Sequence, residues 1–172
     1  MSRTSWSLAA CVAVSIAAVG CGPGGAESAE SGSVEAEPGE VALVSGEIAD
    51  MTLKVYKSPT CGCCANWIEH IRKAGFEVEV EDTNDIAAVK AEAGVPAALQ
   101  SCHTTVVGDY VFEGHVPVED VIAFLEEKPD ATGLAVPGMP VGSPGMESGD
   151  RVDPYDVILF DEHSTRVYRS HR

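Results

Sequence analysis

Three cysteines crowd into four positions, Cys61-Gly62-Cys63-Cys64, at a joint between a strand-like run and a helix-like one. Ahead of them, Thr52 to Lys57 alternates apolar and polar residues and reads as a strand, which Ser58-Pro59-Thr60 then breaks. Behind them, Trp67, Ile68, Ile71 and Ala74 recur at helical spacing until Gly75 stops the helix. Sulfur at the start of a helix meets free N–H groups and the positive end of the helix dipole, which favour thiolates. Cys61 and Cys64 stand three residues apart, about 5–6 Å between β carbons in a helix. Such a pair can hold one metal ion or close a disulfide, and the spacing leaves both open. Cys63 points roughly 100° around a helix from Cys64, so the three are not expected all to face one ion.

The remaining elements fix the fold class. Phe76 to Glu81 alternates strictly and predicts a strand with one wet, acidic face. Asp85 to Ala93 reads as a second helix ended by Gly94, and Pro96 opens a short turn. Thr104 to Val107 and Tyr110 to Phe112 flank Gly108-Asp109, a hairpin signature, and Pro117 to Leu125 makes a third helix. The order βαβαββα is similar to that of thioredoxin-like proteins, so an α/β fold with that core is expected. Thr132 to Gly149 follows, with five glycines and three prolines, as a Gly/Pro/Met-rich loop too broken for helix or strand. Asp156 to Phe160 and Arg166 to Tyr168 then predict a C-terminal β-hairpin that extends the sheet and pins the loop as a flap.

Charge and the N-terminal segment bear on partners and location. The 172 residues carry 11 Lys+Arg against 27 Asp+Glu, a formal charge of −16. Nucleic acid and anionic lipid are bound by clustered Lys and Arg, so neither is an expected electrostatic partner. Residues 1–20 combine Arg3, an uncharged run from Leu8 to Val19 and small residues before Cys21, as a signal peptide does. Ala18-Val19-Gly20-Cys21 resembles the bacterial lipobox, which implies lipidation at Cys21, a membrane tether, and a place in the cell envelope facing the periplasm or exterior. Residues 21–50 carry seven acidic and no basic side chains and read as a flexible linker. The folded domain is expected over residues 51–172.

Cys102-His103 lies 38 residues beyond Cys64, just ahead of the strand from Thr104. In a thioredoxin-like fold the loop entering that strand sits beside the first helix, which brings Cys102 and His103 to the first cysteines. Thiolates with an imidazole suit Cu(I) or Zn²⁺, and a sulfur-rich set leans toward the softer Cu(I). Met139 and Met146, on the Gly/Pro-rich loop, are candidate neutral sulfur ligands on a lid. The expected metal ligands are therefore Cys61, Cys63, Cys64, Cys102, His103, Met139 and Met146. His115 is expected to be structural, His70 too far along its helix to join, and His163 and His171 to face solvent.

Lys57-Ser58-Pro59-Thr60-Cys61-Gly62-Cys63-Cys64, Gly94-Val95-Pro96, Ser101-Cys102-His103-Thr104 and Glu113-Gly114-His115-Val116-Pro117 form a series. Gly133-Leu134-Ala135-Val136-Pro137-Gly138-Met139-Pro140 and Gly145-Met146-Glu147 continue it. Blocks in this order resemble the DUF411 family of metal-binding proteins, over about Met51 to Tyr168. The resemblance implies copper handling, with a copper-transport or copper-resistance protein as partner and no settled reaction. The sequence thus favours a tethered, non-catalytic Cu(I)-binding protein. Two alternatives stand beside it: a thiol–disulfide oxidoreductase using Cys61 and Cys64, and an interaction module with structural zinc. Thioredoxin-like redox enzymes usually carry a proline where the third strand enters, and this chain reads Cys102-His103-Thr104 there.

Overall fold

The computed structural model describes Val44 and residues 46–172. The expected signal peptide, Cys21 and most of the acidic linker lie outside the described residues. Strands β1 (Thr52–Lys57), β2 (Glu77–Asp82), β3 (His103–Val107), β4 (Tyr110–Glu113), β5 (Gly133–Ala135), β6 (Tyr155–Phe160) and β7 (Thr165–His171) form one mixed sheet. Their order across it is β2-β1-β3-β4-β5-β6-β7. Helix α1 (Gly62–Lys73) joins β1 to the parallel β2, α2 (Ile86–Glu92) precedes β3, and α3 (Val118–Glu127) follows β4. The predicted succession of strands and helices up to α3 is the observed one. None of these helices is long and apolar enough to cross a membrane.

The alternation of strand side chains divides the interior. Leu53, Val55, Phe112, Leu134 and Leu159 pack with Trp67, Ile68 and Ile71 of α1 and Val121, Phe124 and Leu125 of α3. Val111, Ala135 and Phe160, each one residue out of phase, point the other way and pack with Val95 and Leu99. Both faces of the central strands are therefore covered, and that is why His103 and Thr104, neighbours in sequence, are both buried on opposite sides.

Three boundaries differ from the sequence reading. The folded part starts before Met51, because Gly46–Asp50 forms a 3-10 turn whose Ile48 is 3% exposed in the core. The edge strand β2 is wet on nearly its whole length: Val80 is 40% exposed, and Val78 alone is partly buried. The loop expected over 132–149 begins with β5, parallel to β4 and antiparallel to β6. Only glycine fits at the head of β5: a β carbon on Gly133 would lie 1.7 Å from the Val111 carbonyl oxygen. The terminal hairpin β6–β7 extends the sheet as predicted, through β5.

Candidate metal centre

Cys61 caps α1 rather than belonging to it. Its backbone is extended (φ −77°, ψ 99°), and its Sγ accepts a hydrogen bond from the Cys64 N–H at 3.4 Å. Cys63 and Cys64 keep their helical phase within α1, but the extended Cys61 stands outside it, and the expectation that the three sulfurs cannot share one site is corrected. The Sγ atoms of Cys61, Cys63, Cys64 and Cys102 all lie within 4.8 Å of one another. Cys61 and Cys64 are joined as a disulfide, with Cα atoms 5.4 Å apart, while Cys63 and Cys102 are free thiols. Cys63 Sγ approaches Cys61 Sγ to 3.5 Å.

Topology delivers the second half. Antiparallel pairing of β1 with β3 sets Lys57 opposite His103, so the turn before β3 meets the turn after β1. Cys102 stands at that turn, and the disulfide-bonded sulfur of Cys64, a fully buried residue, lies 3.9 Å from the Cys102 carbonyl oxygen. His103 follows as the first residue of β3 and turns inward, its ring 4.6 Å from Trp67. Its Nδ1 lies 3.3 Å from Cys102 Sγ, and its Nε2 is buried with no hydrogen-bond partner among the described residues. A buried nitrogen left unpartnered is costly in a closed core. It is the kind of atom a bound ion would satisfy.

His115, expected to be structural, also faces this site. Its Nε2 lies 3.0 Å from Cys102 Sγ, and its Nδ1–H donates to the Pro144 carbonyl oxygen at 2.8 Å. The carbonyl can only accept, so Nδ1 carries the proton and Nε2 offers its lone pair toward the sulfur. Cys102, His103 and His115 thus form a second group with donor atoms within 4.8 Å of one another, sharing Cys102 with the first. The signal for His115 was in the strand register: Thr104 pairs with Glu113, and two further steps on each strand bring residue 115 beside residue 102.

Burial sets the protonation of these groups. It holds His103 well below the usual imidazole range, with His115 and then Lys90 adding positive-charge repulsion. Burial also lowers His115, against the opposing pull of the Pro144 carbonyl and Glu147. Both imidazoles are therefore neutral at pH 7, the form that binds metals. The Cys102 thiol is pushed up to about 12, first by burial and then by the neighbouring Cys63. A thiol so poorly ionised on its own needs a cation to draw off its proton.

The glycine- and proline-rich segment closes over α1. Gly145 has φ +85°, and a β carbon there would lie 2.7 Å from both the Cys63 carbonyl oxygen and the Trp67 nitrogen. Glu147 accepts from the Gly145 N–H at 2.9 Å and meets His70 Nε2 at 2.7 Å, tying the segment to the outer face of α1. Met146 is half-buried in this turn, whereas Met139 is 53% exposed. His163 is exposed, as expected; His171 is not free, because its Nε2 meets buried Asp120 at 2.7 Å.

The geometry has close relatives. A solved structure described as "Copper resistance protein copG- Form 2" is 43% identical and superposes with a TM-score of 0.68, covering 71% of this chain and 98% of that one. A sequence profile described as "Protein of unknown function, DUF411" matches residues 99–146, which hold Cys102, His103, His115 and the flap. The chain belongs to the DUF411 family. A second structure, "Copper resistance protein copG- Form 1", is also 43% identical to this DUF411 protein, with a TM-score of 0.67 over 70% of this chain and 97% of that one. A comparison with curated proteins finds no match.

Proposed function

We propose that this DUF411 protein binds Cu(I) at the paired donor groups and serves copper trafficking or resistance rather than catalysis. One observation carries the reading: four cysteine sulfurs converge within 4.8 Å, and one of them, Cys102, is also held between two neutral imidazoles. A thiolate-rich set with imidazole support suits a soft ion. Cys61, Cys63, Cys64 and Cys102 supply the sulfur, His103 and His115 the nitrogen, and Met146 and Met139 are neutral lid donors. The relatives described as copper resistance proteins support the choice of copper. A thioredoxin-like core belongs to this proposal, supported by the order β2-β1-β3-β4 with α1 between the parallel β1 and β2.

The reading is tested by titrating the reduced chain with Cu(I) against a chromophoric chelator. Wild type is expected to compete, and Cys61→Ser with Cys64→Ser to lose most of that ability. Unchanged competition by the double variant would sink the proposal. Zinc found at stoichiometry in protein purified without added ions, with unfolding on its removal, would favour a structural zinc site instead. The Cys61–Cys64 disulfide gives a second reading, a thiol–disulfide oxidoreductase. Steady turnover of a disulfide substrate by copper-free chain distinguishes it.

Location is part of the same proposal. The lipobox-like segment ending at Cys21, followed by the acidic stretch, supports a lipid anchor in the cell envelope. A Cys21→Ser chain should leave the membrane fraction, and one retained there as firmly as wild type would rule the anchor out.

A further inference from the structure

Behind the donor groups, on the face of the sheet that α2 covers, lies an ion pair that copper binding as described does not use. Lys90 is 3% exposed and Glu113 is fully buried. Lys90 Nζ donates to Glu113 Oε1 at 2.5 Å and to Thr104 Oγ1 at 3.0 Å. The same Oε1 accepts the Ser101 backbone N–H at 2.6 Å, and Oε2 accepts the Thr104 hydroxyl at 2.7 Å. A buried pair of this kind is seldom more stabilising than apolar side chains of similar volume. Stability alone is a weak reason for its presence.

Its attachments point elsewhere. Ser101 immediately precedes Cys102, Thr104 immediately follows His103, and Glu113 stands two residues before His115. One carboxylate, at the start of the turn that carries His115, thus holds the Ser101 backbone ahead of Cys102-His103 and the Thr104 side chain behind it. Ser101 also donates its hydroxyl to the Gly138 carbonyl, so the same anchor reaches the flap segment. We propose that Glu113, neutralised by Lys90, is the positioning residue that keeps Cys102, His103 and His115 in register as one donor group. The inference rests on the copper-binding reading. A preset group loses little freedom when an ion arrives, and a loosened one must be ordered at the ion's expense. Lys90 is needed because a bare carboxylate would repel the thiolate gathered in front of it.

The test uses the reduced full chain, with Cu(I) as the probe, in wild type, Glu113→Gln, Lys90→Met and the variant carrying both changes. The double change removes both charges together, so no bare ion is left buried and folding is preserved. Affinity is read by chelator competition, and sulfur and nitrogen neighbours of copper by X-ray absorption fine structure. Wild type should show both. Glu113→Gln and the double variant should bind about 10- to 100-fold more weakly, the usual cost of losing an outer partner. Their nitrogen contribution should fall while the sulfur contribution stays, a split that general unfolding does not produce. A double variant with wild-type affinity and nitrogen content would overturn the positioning role, as would a wild-type spectrum of sulfur alone. Wild-type chain that takes up no Cu(I) at all would instead defeat the copper reading on which the inference stands.

Discussion

Cys102→Ala should weaken Cu(I) binding more than loss of any other single donor, on the order of 100-fold or beyond, since even an outer partner is worth about 10- to 100-fold. Cys102 alone belongs to both donor groups, so its removal subtracts from each at once. Loss of Cys63 depletes only the sulfur group, and loss of His115 only the mixed one. The change should be mild for the fold, because Cys102 is half-buried and its truncation removes a single sulfur, about 1 kcal/mol or less. Chelator competition and thermal denaturation of the metal-free chain measure the two effects. A Cys102→Ala chain that binds Cu(I) like wild type would leave the α1 cysteines as the whole site and remove the second group from the account.

Oxidation should have an effect of similar size. In the disulfide form two of the four clustered sulfurs are bonded to each other and carry no thiolate charge. The thiolate is the sulfur ligand, so of the four clustered cysteines the oxidised chain keeps Cys63 and Cys102 for copper, beside the two imidazoles. We expect it to bind Cu(I) roughly tenfold or more weakly than the reduced chain, judged by the outer-partner scale. An external thiolate should attack Cys61, half-buried at the helix cap, in preference to fully buried Cys64. That attack releases Cys64 as thiolate, and a second thiol of the reductant completes the exchange as its own disulfide. Counting free thiols before and after reduction, beside copper affinity in each state, checks the link. Equal affinity in both states would mean that Cys61 and Cys64 are not donors.

Much of this arrangement was legible in the residues, and the gaps have physical causes. The meeting of Cys102 with the first cysteines followed from likening the order of strands and helices to a thioredoxin-like one, and the β1–β3 pairing produces it by setting the start of β3 against the end of β1. The approach of Cys61 to Cys63 did not follow, because a helical wheel assumes helical backbone at Cys61 and the cap residue is extended. His115 was hidden for another reason. Its place beside Cys102 is a property of the β3–β4 register, and composition around Gly114 carries no trace of it. Strand β5 has three residues and opens with glycine, so its local preference is weak; it exists because β4 and β6 leave a slot with unpaired backbone on both sides. Met139 and Met146 could be assigned to a flap, but only the packing of Gly145 on α1 says which end of it lies close. His171 looks solvent-facing in the sequence because nothing there links a terminal strand to Asp120, 51 residues earlier.

The packing of Trp67 against His103 gives the protein a light source at its own site. The chain has two tryptophans, and Trp6 falls in the expected signal peptide, leaving Trp67 as the sole indole of the folded domain. Its Nε1–H is fixed to the Val116 carbonyl at 2.8 Å, so the ring cannot swing away from the imidazole 4.6 Å from it. An ion drawn to His103 would sit within contact range of a fully buried fluorophore. Filling and emptying of the site should therefore be written in emission intensity, with no label and no foreign chromophore to compete for the metal.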